Sequence, residues 1–239
     1  LAAITATLSR VNGVFEKDFA LHLNLQNYPN VIYINSATDP YSAASVGVKG
    51  AWNTELQNTL SNINNVGDAN YDIGHLFGRS GGGGNAGCIG CVCLEPGNPN
   101  LGPNDIGKGA GITSPATGTV NSSSTFPPSG DTFDIDYVAH EMGHQLGANH
   151  TFSHNLEGYS VNMEPGSGST IMGYAGITNQ SAPAGTTTDV QLHSDPYFHI
   201  ASIKQVQANL IAKNCDVETA ITNNPPVIAA LPTYNIPLG

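Results

Sequence analysis

The stretch "HEMGHQLGANH", residues 140–150, constrains this chain more than any other. His140 and His144 are four apart, so on a helix both imidazoles leave the same face about one turn from each other. That spacing lets two nitrogens reach one metal ion at roughly 2.0–2.1 Å. Glu141, next to the first of them, can reach a metal-bound water. Gly147 can take the backbone angles that end a helix and turn the chain back, so His150 arrives from outside as a third ligand. Three protein ligands leave a fourth position open, the arrangement of a catalytic rather than a structural zinc. With 8 His, 7 Glu and 28 Gly in 239 residues, independent placement gives H-E-x-x-H roughly a 0.8% chance and the full H-E-x-x-H-x-x-G-x-x-H roughly 3 in 100,000. Accidental alignment of core or surface histidines is the poorer explanation.

The remaining composition suits an enzyme of this kind and excludes others. A 39% hydrophobic fraction supports a sizeable core, while 28 Gly and 15 Pro predict a loop-rich domain. The net charge of −11, with only seven Lys plus Arg, argues against nucleic acid and anionic membrane surfaces as partners. No apolar run is long enough to span a bilayer. The sequence shows no leader pattern at its start, so an exported protein is expected here in processed form. Cys88, Cys91, Cys93 and Cys215 are an even set on a Lys-poor chain, which suggests two disulfides and an oxidising compartment; the alternative is reduced core thiols.

Along the chain, Ile4, Leu8, Val11 and Phe15 predict an amphipathic first helix. "LHLNLQ" and "NVIYINS" read as short strands, and residues 43–64 as a second helix with Trp52, Leu56 and Leu60 on one face. "AGCIGCVCLE" reads as an edge strand and residues 95–130 as a long irregular stretch. A helix with a capping residue at its start is expected from Asp131 to Gly147, then irregular chain over 151–192. "SDPYFHIASIKQVQANLIAKN" predicts a final helix capped by Ser194 or Asp195, with Pro196 in its first turn. Two nucleotide-like patterns fail on context. "GGGNAG" is followed by a strand rather than a helix, and "GPNDIGKG" ends in Gly109 where a phosphate loop needs Ser or Thr.

The extended histidine motif resembles that of the metzincin metallopeptidases, which also carry a methionine-containing turn beneath the metal. "GSTIMGY" supplies one, with Met172 22 residues after His150. The likeness is closest to bacterial secreted relatives of the adamalysins, or reprolysins. "YDIGHLF" resembles a helix of that group, with Asp72 where an acidic residue helps bind calcium. "NAGCIGCVC" resembles the upper-rim strand of the cleft, and "IAKNC" the end of the C-terminal helix, which implies a Cys93–Cys215 disulfide. Cys88 and Cys91 then pair or stay thiols; a C-x-x-C-x-C metal site is the outside alternative. The resemblance covers residues 1–218 and implies an α/β (α+β) catalytic domain: a twisted, mostly parallel sheet with long helices, and a zinc cleft between N- and C-terminal subdomains. Residues 219–239 read as a linker and the start of a further module. Three features depart from the group. Thr151 stands where adamalysins usually have Asp, and Tyr174 follows Met172 as in astacins and serralysins, where it is a fifth zinc ligand. The strand that precedes the family's first helix is also missing. That strand is either left out of the sequence or supplied by a separate N-terminal fragment or pro-segment of the same protein.

The implied activity is secreted zinc endopeptidase chemistry on protein and peptide substrates, with zinc held by His140, His144 and His150 and Glu141 as general base. The resemblance places an extended substrate along Gly87, Ile89 and Gly90, with Tyr174, Ala175 and Ile177 walling the pocket beyond the cut bond and Met172 as its packed floor. Tyr174 is either an oxyanion donor that also ligates zinc, or wall alone. The competing class is a zinc-bearing binding or adhesion module without catalysis, against which Glu141 argues.

Overall fold

The computed structural model describes residues 1–114, 130–178, 188–220, 227 and 229–230. The module expected over 219–239 therefore falls almost wholly outside the described residues. The apolar spacing near the start produces helix α1 (Ala2–Phe19), with Val11, Val14, Phe15 and Phe19 buried on one face. Burial of such side chains stabilises by about 1.5–3 kcal/mol each. They pack with Phe133, Val138, Met142, Leu146, Met172 and Phe198 in the larger of two apolar clusters among the described residues.

The expected strands after α1 do not form. Leu23 instead exchanges two hydrogen bonds with the Asn12 side chain, which donates to Leu23 O and accepts from Leu23 N, each 2.9 Å. A helix side chain thus takes the place of a ladder partner. Pro29–Val31 is a short 3₁₀ turn. The helix expected over 43–64 is divided into Ala44–Val46, wide π-type turns over Gly47–Ala51, and α2 (Trp52–Ser61). The break falls at Gly50, whose φ of 116° lies outside helical space. Trp52, Leu56 and Leu60 anchor the second apolar cluster as their spacing predicts.

Three short strands form the sheet among the described residues: β1 (His75–Phe77), β2 (Gly83–Asn85) and β3 (Gly111–Ser114), in the order β1-β3-β2. β1 runs parallel to β3 and β2 antiparallel to it, so this sheet is mixed rather than mostly parallel. Three expectations need correction here. "YDIGHLF" yields strand β1, not a helix. The edge strand lies at Gly83–Asn85, ahead of "AGCIGCVCLE", whose backbone bonds the end of the motif helix through Gly90 N to His144 O at 2.9 Å and Val92 N to Gln145 O at 3.1 Å. The central strand β3, buried at all four positions, lies in the stretch read as irregular. Four residues that include Gly and Ser carry too little periodicity to announce a strand.

The motif helix runs as Asp131–Phe133, π-type turns over Asp134–Ala139, and α3 (His140–Leu146). Gly130 precedes it with no side-chain cap. Its acidic first turns bind α1 instead. Arg10 donates to both oxygens of Asp131 at 2.8 and 2.9 Å, and Thr7 Oγ1 donates to Asp134 at 2.7 Å. The last helix, α4 (Ile200–Leu210), starts later than expected and is capped by His199, which accepts from Ala201 N at 3.2 Å. The backbone before it is engaged elsewhere: Asp195 N donates to Ser169 O and Tyr197 O accepts from Ile171 N. Ser194, Asp195 and Pro196 therefore lie outside the helix. Both disulfides are present, Cys88–Cys91 and Cys93–Cys215, with Cα separations of 6.0 and 5.7 Å. No helix among the described residues is long and apolar enough to cross a membrane.

Candidate active site

His140 and His144 project from α3, and Gly147, at φ 120°, ends that helix and turns the chain so that His150 meets them. His150 Nε2 lies 3.2 Å from His140 Nε2 and 3.0 Å from His144 Nε2. The outward nitrogens fix the tautomers. His140 Nδ1 donates to Ile171 O at 2.6 Å and His144 Nδ1 to Ala148 O at 2.7 Å. His150 Nδ1 faces the Glu157 carboxylate at 2.9 and 3.1 Å. Each Nδ1 therefore carries the proton, and three Nε2 lone pairs converge with no hydrogen between them. Lone pairs at that spacing repel unless a cation sits among them, and a tetrahedral ion with bonds of about 2.0–2.1 Å demands nitrogens roughly 3.3 Å apart. Burial pushes His140 down to about 4. Burial and mutual repulsion push His144 to about 3 and His150 to about 2. All three are neutral near pH 7, as ligation requires. The donor set fits zinc.

Glu141 is buried beside this cluster. Burial pushes its carboxyl up to about 8, partly offset by a hydrogen bond from the Ala86 backbone N–H. A bound dication would favour the carboxylate. β2 makes room for it, because a methyl group at Gly84 would collide with the Glu141 side chain.

Beneath the histidines, Met172 is fully buried. A Cβ on Gly143, between the two helix histidines, would lie 2.8 Å from Met172 Sδ and 2.9 Å from the Phe198 ring. Close packing there requires glycine. Thr151 N donates to Met172 O at 3.1 Å, joining the chain after His150 to the methionine turn. Tyr174 lies beside the imidazoles, its ring centroid 4.5 Å from that of His150 and 5.7 Å from that of His140. Burial, with the nearby acidic groups, raises its hydroxyl above the ordinary phenol value, so it is a proton donor near neutrality.

These groups open onto a cleft of about 640 Å³, lined among others by Asn85, Gly87, Ile89, Glu157, Tyr159 and Tyr174. Of the expected substrate contacts, Gly87, Ile89 and Tyr174 line it. Gly90 and Ala175 do not: Gly90 is bonded to His144 O and Ala175 is buried. Ile177 is also absent from the lining. Asp72 is exposed and joins no cluster of ligand side chains among the described residues, so the calcium expectation has no support there. The "GPNDIGKG" lysine, Lys108, is buried over the Tyr71 ring at 4.9 Å.

Three residues escaped the sequence reading. Glu157 orients His150. Glu164 is buried where the two segments outside α3 meet. His75 is held by Gln145 Oε1 at 2.7 Å and by the Thr113 hydroxyl at 2.8 Å. A signal existed for the first two, since three of the seven glutamates fall within residues 141–164. No curated protein matches this chain. Residues 1–197 match the profile of the metallopeptidase family M12B, reprolysin-like, across most of the chain's length. The chain that brings three unprotonated imidazole nitrogens to one point belongs to the reprolysin-like M12B family of zinc metallopeptidases.

Proposed function

We propose that this metallopeptidase is a secreted zinc endopeptidase of the metzincin kind that hydrolyses internal peptide bonds of proteins, with Glu141 as its general base. The observation that carries this reading is the convergence of His140, His144 and His150 Nε2 beside the buried Glu141 carboxylate. When bound, zinc lowers the pKa of water to near 7 and polarises the scissile carbonyl. Glu141 accepts the proton of the attacking water and delivers it to the leaving amine. The Tyr174 hydroxyl donates a hydrogen bond to the oxyanion of the tetrahedral intermediate. An extended peptide lies along the cleft rim formed by β2 and the Gly87–Ile89 segment, using backbone hydrogen bonds in the manner of strand addition. Met172 supports the histidine helix through packing. The two disulfides support export into an oxidising compartment.

A mixture of internally quenched peptides tests the reading. Cleavage that stops on chelation and returns with zinc supports it. A zinc-loaded protein that cuts no peptide would overturn it in favour of a binding or adhesion module.

A further inference from the structure

Glu164 is 6% exposed, yet its carboxylate accepts four hydrogen bonds. Oε1 accepts from Ser169 N at 2.9 Å and Thr170 N at 3.0 Å. Oε2 accepts from Thr170 Oγ1 at 2.5 Å and from the Thr151 hydroxyl at short range. Its own N–H donates to Thr151 O at 2.8 Å. Thr151 is the residue after His150. Thr170 is the residue before Ile171, whose carbonyl holds His140 Nδ1. One carboxylate thus joins the segment that presents the third histidine to the segment that orients the first. Thr151 and Thr170 are themselves buried, so no water competes for these bonds.

We infer that Glu164 is a positioning residue for the metal centre: a clamp that sets His150 and His140 against each other. It touches neither metal nor substrate. A charged acceptor with two oxygens can hold two hydroxyls and two amides at once, whereas a neutral amide offers one acceptor oxygen and two donor hydrogens. Its loss leaves buried donors unpaired, and the two segments shift relative to each other. The inference rests on the zinc reading above.

Glu164→Gln in the full chain tests it, with Thr151→Val and Thr151→Ser as a second pair should the first variant fold poorly. Zinc affinity is measured by competition with a chelator, the cobalt-loaded protein by its visible spectrum, and the metal-free protein by urea unfolding. We expect Glu164→Gln and Thr151→Val to weaken zinc binding about 10–100-fold, the usual cost of losing an outer partner of a ligand, and to shift the cobalt bands. Thr151→Ser restores both. Wild-type zinc affinity and an unchanged cobalt spectrum in the variants, with only a lower unfolding midpoint, would overturn the clamp and leave the zinc reading standing. A wild-type protein that binds no zinc would overturn both.

Discussion

His140 Nδ1 donates to the carbonyl oxygen of Ile171 at 2.6 Å, tying the first histidine of the motif helix to the residue before Met172. The bond fixes the tautomer that turns the Nε2 lone pair toward His144 and His150. It also joins the methionine turn to the histidine cluster through the main chain.

One zinc per chain is expected, and replacement of any one of His140, His144 or His150 by Ala lowers both zinc content and peptide cleavage. Two imidazoles cannot hold the ion in a closed geometry. Elemental analysis after metal-free purification and zinc re-addition checks this. Full zinc occupancy in His150→Ala would remove that residue from the ligand set.

Glu141→Ala is expected to retain zinc but lose turnover by at least about 10²–10⁴-fold, the contribution of a positioned general base. A turnover assay on the variant, with its zinc content verified, decides the matter. Native turnover would mean that another group takes the proton.

Tyr174→Phe keeps the ring that packs against His150 and Phe152 and removes only the hydroxyl. A fall in kcat of about 10²–10³ with little change in KM is expected, because the donated bond forms mainly in the transition state. Unchanged kcat would leave Tyr174 as a wall of the cleft.

The Cys93–Cys215 bridge joins the rim segment to the chain beyond α4 across 122 residues of sequence. Cys215→Ser is expected to lower unfolding free energy by about 2–5 kcal/mol. Urea unfolding measures the loss. Recovery of Cys93 joined to Cys88 or Cys91 in non-reducing peptide maps would contradict the pairing itself.

Burial pushes His75 down to about 4 in the folded protein, the hydrogen bond that its Nδ1 donates to Gln145 Oε1 only partly opposing it. The unfolded chain takes up this proton below about 6.5 while the folded chain does not until near 4, so stability is lost as pH falls through that window. His75→Gln should shrink the difference in unfolding free energy between pH 7 and pH 5 by on the order of 1–2 kcal/mol. An equal pH dependence in the variant and the wild type would assign the acid sensitivity to other groups.

What the sequence determined by itself was whatever local spacing encodes. Two imidazoles four residues apart share a helix face in any fold, and Gly147 allows the turn that brings His150 back. The apolar periods of α1 and α2 likewise mark their buried faces. Tertiary structure decided what depends on the path of chain far removed in sequence. Strand β3 exists because two neighbouring strands pair with it, whereas its four residues hold no strong preference. "LHLNLQ" has a strand's alternation, but its backbone finds Asn12 rather than a ladder. Glu157 and Glu164 acquire their places only when irregular loops deliver them to His150 and Thr151. Hydrogen-bond partners across such loops follow from the fold's global minimum, since no repeating geometry links their positions in sequence.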